Sequence, residues 1–165
     1  MQKLQIMYFQ QNLAVGATEE YFYLLMEGID KARFDVTFVC PINTVLDPLV
    51  TRLEALNIKV YRYSLETSNY RLILHLWSFF RQLRPAFVHF NDPCLLGIIA
   101  ARLAGVPVLL MTHHTPELNR KYNWKARFLE KIVFRYCGLY VIFTSEYDRE
   151  TGIKKDDIAE DKSFV

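Results

Sequence analysis

The sequence has little of what would settle a chemistry at once. Its three cysteines, Cys40, Cys94 and Cys137, form no CxxC pair and have no histidine at zinc-site spacing. Such an odd, scattered set speaks against a disulfide scaffold and for a reducing compartment; Cys40 and Cys137 lie beside apolar runs that suit buried thiols. Glycine is equally sparse. A GxGxxG fingerprint needs three glycines after the first strand, and the loop there has only Gly16. The second strand ends in Cys40-Pro41, where a dinucleotide enzyme would carry an acidic residue for the ribose. No GxxxxGK[ST] loop occurs, so NAD enzymes and P-loop proteins are both disfavoured. No run approaches the roughly 18 apolar residues of a membrane span. Residues 1–9 lack the apolar length and cleavage site of a signal peptide, so the expected location is cytoplasmic. A net charge of +2 gives no reason to expect nucleic-acid binding.

What is present is a composition for one core. Hydrophobic residues make up 52% of the 165 residues and charged ones 23%, so a single domain over 1–165 is expected. Short apolar or β-branched runs at 4–9, 36–40, 58–63, 87–90, 108–112 and 139–143 read as strands, several apolar on both faces. Helical stripes alternate with them. The first is Tyr21, Leu24, Leu25, Gly28 and Ile29, and the second Leu46, Leu49, Val50, Leu53 and Leu56. A third is Leu72, Leu76, Phe79, Phe80 and Leu83, and a fourth Trp124, Phe128, Ile132 and Tyr136. Pro85 and the pair Gly105 and Pro107 mark helix ends. This alternation predicts an α/β fold, a Rossmann-like doubly wound parallel sheet with helices on both faces. The charged stretch 154–162 reads as a turn, and 163–165 as the opening of a further strand.

In such sheets ligands bind at the carboxyl ends of the strands. After the first strand stand Gly16, Ala17 and Thr18, at a helix N-terminus whose free N–H groups suit an anion. A plain strand-to-helix turn explains the same residues. After the fourth strand come Asn91 and Asp92, either of which could cap the next helix. After the fifth come Thr112-His113-His114-Thr115-Pro116-Glu117, the most suggestive polar group in the chain. Adjacent histidines point to opposite faces, so they do not bind one metal together, but one can face a cleft. After the sixth strand, Ser145 and Glu146 are either ligand contacts or a helix start, with Ser145 as N-cap and Asp148 three residues on.

Taken in order, these pieces resemble the N-terminal domain of the GT-B glycosyltransferases of family 4, the group 1 type. Gly16-Ala17-Thr18-Glu19 is similar to the family's GG[TA]E loop, and residues 34–40 to its second strand. Residues 53–60 resemble RLxxxGIxV, 84–91 resemble RPDVVHxHN and 101–108 resemble ARLAGVPVV. Thr112-His113-His114 is similar to THH, and residues 141–146 to VIxxSE. The resemblance runs through the whole chain in register.

It implies a hexosyltransferase-like enzyme of polysaccharide biosynthesis that moves a sugar from a nucleotide-sugar donor to a saccharide or lipid-linked acceptor, with retention and without a metal or other cofactor. On this resemblance Gly16, Ala17 and Thr18 would lie at the departing diphosphate, and His114, or else His113, at the transferred sugar. Asn91, Asp92 and Glu117 would lie on the acceptor side. Ala17 departs from the second loop glycine, which is tolerable only if that position needs no positive φ. The family's donor-binding C-terminal half, with its basic pair and Glu-x7-Glu element, has no counterpart here, so the chain by itself is expected to be inactive. Two other readings stand beside this one, half of a GT-B sugar-nucleotide epimerase and a non-catalytic α/β binding module. The mix of basic and aromatic residues over 120–135 leaves two options: a helix resting on the inner face of a membrane, or an ordinary helix with one buried stripe and a charged outer face.

Overall fold

A seven-stranded, wholly parallel sheet organises the chain, in the order β3-β2-β1-β4-β5-β6-β7. The computed structural model describes residues 3–11, 16–65, 68–114, 124–156 and 158–165. The strands are β1 (Leu4–Gln10), β2 (Phe34–Pro41), β3 (Lys59–Tyr63), β4 (Phe87–Asn91), β5 (Val108–His113), β6 (Tyr140–Phe143) and β7 (Ser163–Phe164). The helices joining them are α1 (Ala17–Glu27), α2 (Asp47–Ala55), α3 (Asn69–Leu83), α4 (Leu95–Ala104), α5 (Trp124–Tyr136) and α6 (Glu146–Asp156). This is the Rossmann-like α/β fold that the alternation predicts, and the short start at Ser163 does become a strand.

Right-handed crossovers divide the helices between the two faces. The chain first winds outward through β2 and β3, which puts α1 and α2 on one face. There Phe22, Met26, Leu46, Leu49, Val50 and Leu53 pack on Ile6, Tyr8, Val36, Phe38 and Cys40. It then crosses back to β4 and winds the other way, so later helices cover the opposite face. On that face Leu72, Leu76, Phe80, Ile98, Ala101 and Phe134 bury Phe9, Val88, Phe90, Met111 and Val141. Phe9 lies at its centre, with ring centroids 5.3 Å from Tyr63, 6.2 Å from Phe80 and 5.4 Å from Phe90.

The helix ends match their sequence signals. Arg84 takes the left-handed conformation (φ 47°) and its N–H donates to the Phe80 carbonyl before Pro85 stops α3. Gly105 (φ 81°) ends α4 in the same way, where a side chain would be strained. All three cysteines are free, with Cys40 and Cys94 buried and Cys137 half-buried.

Two stripes take a different phase from the one read in the sequence. In α1 the buried apolar side chains are Phe22 and Met26, with Tyr21 and Leu25 of the expected stripe partly buried against the same core, while Leu24 is 56% exposed. In α5 the buried ones among the described residues are Glu130, Val133 and Phe134, whereas Trp124 is 72%, Phe128 64% and Tyr136 70% exposed. Both helices carry apolar residues on two sides, and the neighbours they pack against select one. Asp92 and Asn91 do not cap α4, whose N-cap is Cys94. Asp92 is instead drawn toward β5.

Candidate functional site

The strand order reverses between β1 and β4, and the crevice at such a switch point is where open parallel sheets bind ligands. Gln10 and Asn91 end β1 and β4 and stand in register with Thr112, the last residue but one of β5, so their side chains share one face of the sheet. His114 lies two residues past Thr112 on that side. A cleft of about 380 Å³ opens there, lined by Ala17, Tyr21, Thr112, His114, Ile142 and Thr144 among others.

His114 is the best-placed chemical group in it. The imidazole is half-buried, edge-on to the Tyr21 ring at 5.4 Å between centroids. Its Nε2 is buried and has no hydrogen-bond partner among the described residues. Burial pulls its pKa below the usual histidine value, although the carboxylates of Asp92 and Glu19 pull the other way. The ring is therefore neutral near pH 7 and can offer one nitrogen to a ligand hydroxyl.

Asp92 fixes the strand exit that presents His114. Its N–H donates to the Thr112 carbonyl at 3.0 Å, and its Oδ1 accepts the His114 N–H at 3.0 Å. It holds a left-handed conformation (φ 61°) with its side chain buried, a strained placement of a kind that collects at binding sites. Asn91 beside it is 1% exposed, and neither end of its amide has a partner among the described residues. Leaving such a group unsatisfied costs about 1–3 kcal/mol, so a water or ligand atom is the natural complement.

The loop opening α1 is ordered by a residue that was not singled out as a site from the sequence. Glu19 is buried and accepts the Gly16 N–H at 2.5 Å and Gln10 Nε2 at 2.7 Å. Gly16 is extended (φ −174°), a backbone any residue adopts, and Ala17 is the first helical residue. The alanine therefore fits without strain. With the Gly16 N–H taken by Glu19, the first-turn N–H groups of Ala17 and Thr18 have no partner within the helix, and Ala17 lines the cleft. Gln10 and Glu19 were legible only as polar residues directly after an apolar strand and one turn into a helix.

The remaining candidates separate. His113 faces the opposite side of the sheet, its ring 5.6 Å from Phe143. Ser145 caps α6 by accepting the Asp148 N–H at 3.1 Å and donating to its carboxylate at 2.7 Å, while Glu146 lies exposed beside Arg149. Glu117 lies outside the described residues. Beneath the site, His89 is buried among Tyr8, Phe22 and Phe87, with Nε2 2.7 Å from Thr112 Oγ1. Burial lowers its pKa to about 4, as for a neutral core histidine that props Thr112.

The parallel sheet, its switch point and helices on both faces define a Rossmann-like α/β domain. The profile of Glycosyltransferase Family 4 matches residues 18–165, and the chain belongs to that family. It is similar in structure to a glycosyltransferase from Rickettsia africae (TM-score 0.70, 15% identity), covering 100% of this chain and 43% of the other. It is also similar to HepE from Anabaena in complex with UDP and glucose (TM-score 0.70, 15% identity; 98% and 44% covered). A third is a UDP-GlcNAc 2-epimerase from Neisseria meningitidis bound to UDP-GlcNAc (TM-score 0.65, 15% identity; 98% and 46%). The chain thus spans less than half the length of these structures. At such identities the likeness speaks for the fold alone. No curated protein sequence matches.

Proposed function

We propose that the chain is the N-terminal, acceptor-side domain of a retaining glycosyltransferase, which takes a hexose from a nucleotide-sugar donor to a saccharide or lipid-linked acceptor in polysaccharide biosynthesis. The observation that carries this is His114 Nε2, buried and unpartnered in the cleft beside the N-terminus of α1. As the bond from the anomeric carbon to the diphosphate breaks, the N–H groups of Ala17 and Thr18 face the negative charge that develops, an electrostatic contribution that needs no metal ion. Neutral His114 accepts from or donates to a hydroxyl of the sugar being transferred. Asn91 and Asp92 hold the acceptor side, with Glu117 assigned there on the resemblance. The donor-binding half is a separate domain, so the chain alone binds weakly and does not turn over. It works in the cytoplasm, in peripheral contact with the inner face of the membrane. The GT-B fold fits an epimerase half or a binding module equally well; the family match favours the transferase.

Amide NMR mapping of the chain with UDP-glucose tests this. Weak, saturable shifts at Ala17, Thr18 and His114, lost in His114→Ala, with no sugar released, are the expected result. Shifts confined to the far end of the sheet, or sugar transfer by the chain alone, would overturn it.

A further inference from the structure

From the exposed side chains of α3, α4 and α5 we infer that this helical layer is a docking surface for an anionic lipid bilayer. The inference rests on the peripheral contact proposed above and gives that contact its place. Its starting point is the phase of α5. Trp124, Phe128, Ile132 and Tyr136 recur every four residues and all face outward, Ile132 at 38% exposure being the least open. Four apolar side chains along one solvent-facing stripe exceed the scatter of single exposed hydrophobics on ordinary surfaces.

The neighbouring helices continue the pattern. α4 packs between α3 and α5 on the same face of the sheet. Outward from α3 point Tyr70 (60% exposed), Leu74 (57%) and Trp77 (38%), and from α4 Leu103 (63%). Arg71 lies over Tyr70, Arg81 over Trp77 and Arg135 over Tyr136, each within about 6 Å of the ring. The outward surface therefore alternates aromatic rings and cations.

Its charge is of one sign. α3 carries Arg71 and Arg81, α4 carries Arg102, and α5 carries Lys131 and Arg135. Neither α3 nor α4 contains an acidic residue, and the single carboxylate of α5, Glu130, is buried on the inner side. Apolar and aromatic side chains set among Lys and Arg, on helices lying side by side, match the chemistry of an interface with acyl chains below anionic headgroups. A second copy of the same surface would bring like charges together, which argues against self-association.

Co-sedimentation with vesicles tests this. The probes are equimolar phosphatidylglycerol and phosphatidylcholine against phosphatidylcholine alone, compared at low and high salt. The wild-type chain is expected to pellet with the anionic vesicles only, and less at high salt. Arg81→Gln/Lys131→Gln/Arg135→Gln and Trp77→Ser/Phe128→Ser are each expected to weaken binding at least tenfold. Lys31→Gln/Lys59→Gln/Lys154→Gln, which removes equal charge elsewhere, should bind like wild type. Wild-type binding that both layer variants retain would overturn this surface and leave the peripheral contact standing. No wild-type binding to anionic vesicles would overturn both. A concentration-dependent dimer abolished by the layer variants, without vesicle binding, would instead identify a second copy as the occupant.

Discussion

On one side of the sheet, α1 and α2 carry Glu19, Glu20, Glu27, Asp47 and Glu54 against a lone Arg52. On the other, α3, α4 and α5 carry basic groups outward, and acidic residues return only in α6 at the sheet's edge, where Glu146, Asp148, Glu150 and Asp156 mix with Arg149, Lys154 and Lys155. The net charge of +2 hides this separation. The inner sides are alike, since both layers bury large side chains on the sheet, with Phe22, Phe38, Phe80 and Phe90 at 1% exposure or less. The outer sides diverge because folding constrains only the inner stripe of each helix and leaves the opposite one to selection for other contacts. The acidic layer also holds the N-terminus of α1 at the crevice. There Glu19 is turned inward onto Gly16 and Gln10, so its carboxylate orders the loop instead of facing an incoming anion directly.

The sharpest way to break this comparison is to cut one helix on each of its sides. Phe80→Ala on the inner side of α3 should cost about 3–5 kcal/mol in urea unfolding, from lost burial and the cavity left behind. Leu74→Ala on the outer side should change little. Equal losses would mean that the outer stripe is also packed.

Acid tests the core beneath the acidic layer. Unfolded, His89 takes up a proton near pH 6.5; folded, only at about 4. The unfolded chain therefore binds more protons between these values, and stability, full above pH 6.5, falls as pH drops through the window. The loss approaches about 3 kcal/mol at its lower end. Urea titrations at stepped pH check it, and a flat profile would mean that the ring is hydrated in the folded chain.

A smaller effect is expected at Gly97 in α4. A Cβ there would stand 2.7 Å from Cys94 Sγ and 3.1 Å from the Phe90 ring. Gly97→Ala should cost about 1–3 kcal/mol in thermal or urea unfolding, as overpacked cores do. The smallest effect, Phe128→Ser, separates the two phases of α5. If the outward stripe is right, stability should move by less than about 0.5 kcal/mol, while a buried Phe128 would cost several.

The strands were legible almost to the residue because parallel strands covered on both faces must be short and apolar throughout, and helices follow them in strict alternation. The stripes of α2 and α3 were legible for a related reason, since each has one dominant apolar face, with Leu49, Val50 and Leu53 in one and Leu72, Leu76 and Phe80 in the other. α1 and α5 were not, because Leu24 competes with Phe22 and Met26, and Trp124 and Phe128 with Val133 and Phe134. Of the candidate site, His114 and the start of α1 were visible as polar groups at strand ends. Gln10 and Glu19 become partners only when β1 and α1 fold back on each other.

By itself, then, the sequence determined the period and order of the elements and hence the parallel sheet and its switch point, because local hydrophobic spacing and right-handed crossover leave few alternatives. Tertiary structure alone decided which side of α5 meets the core, that Asp92 holds the exit of β5 instead of capping α4, and which of the two histidines faces the crevice. Those outcomes depend on which groups the fold brings within hydrogen-bonding or packing distance across twenty or more residues of chain, as in the Asp92 bond to His114, and no local pattern encodes that distance.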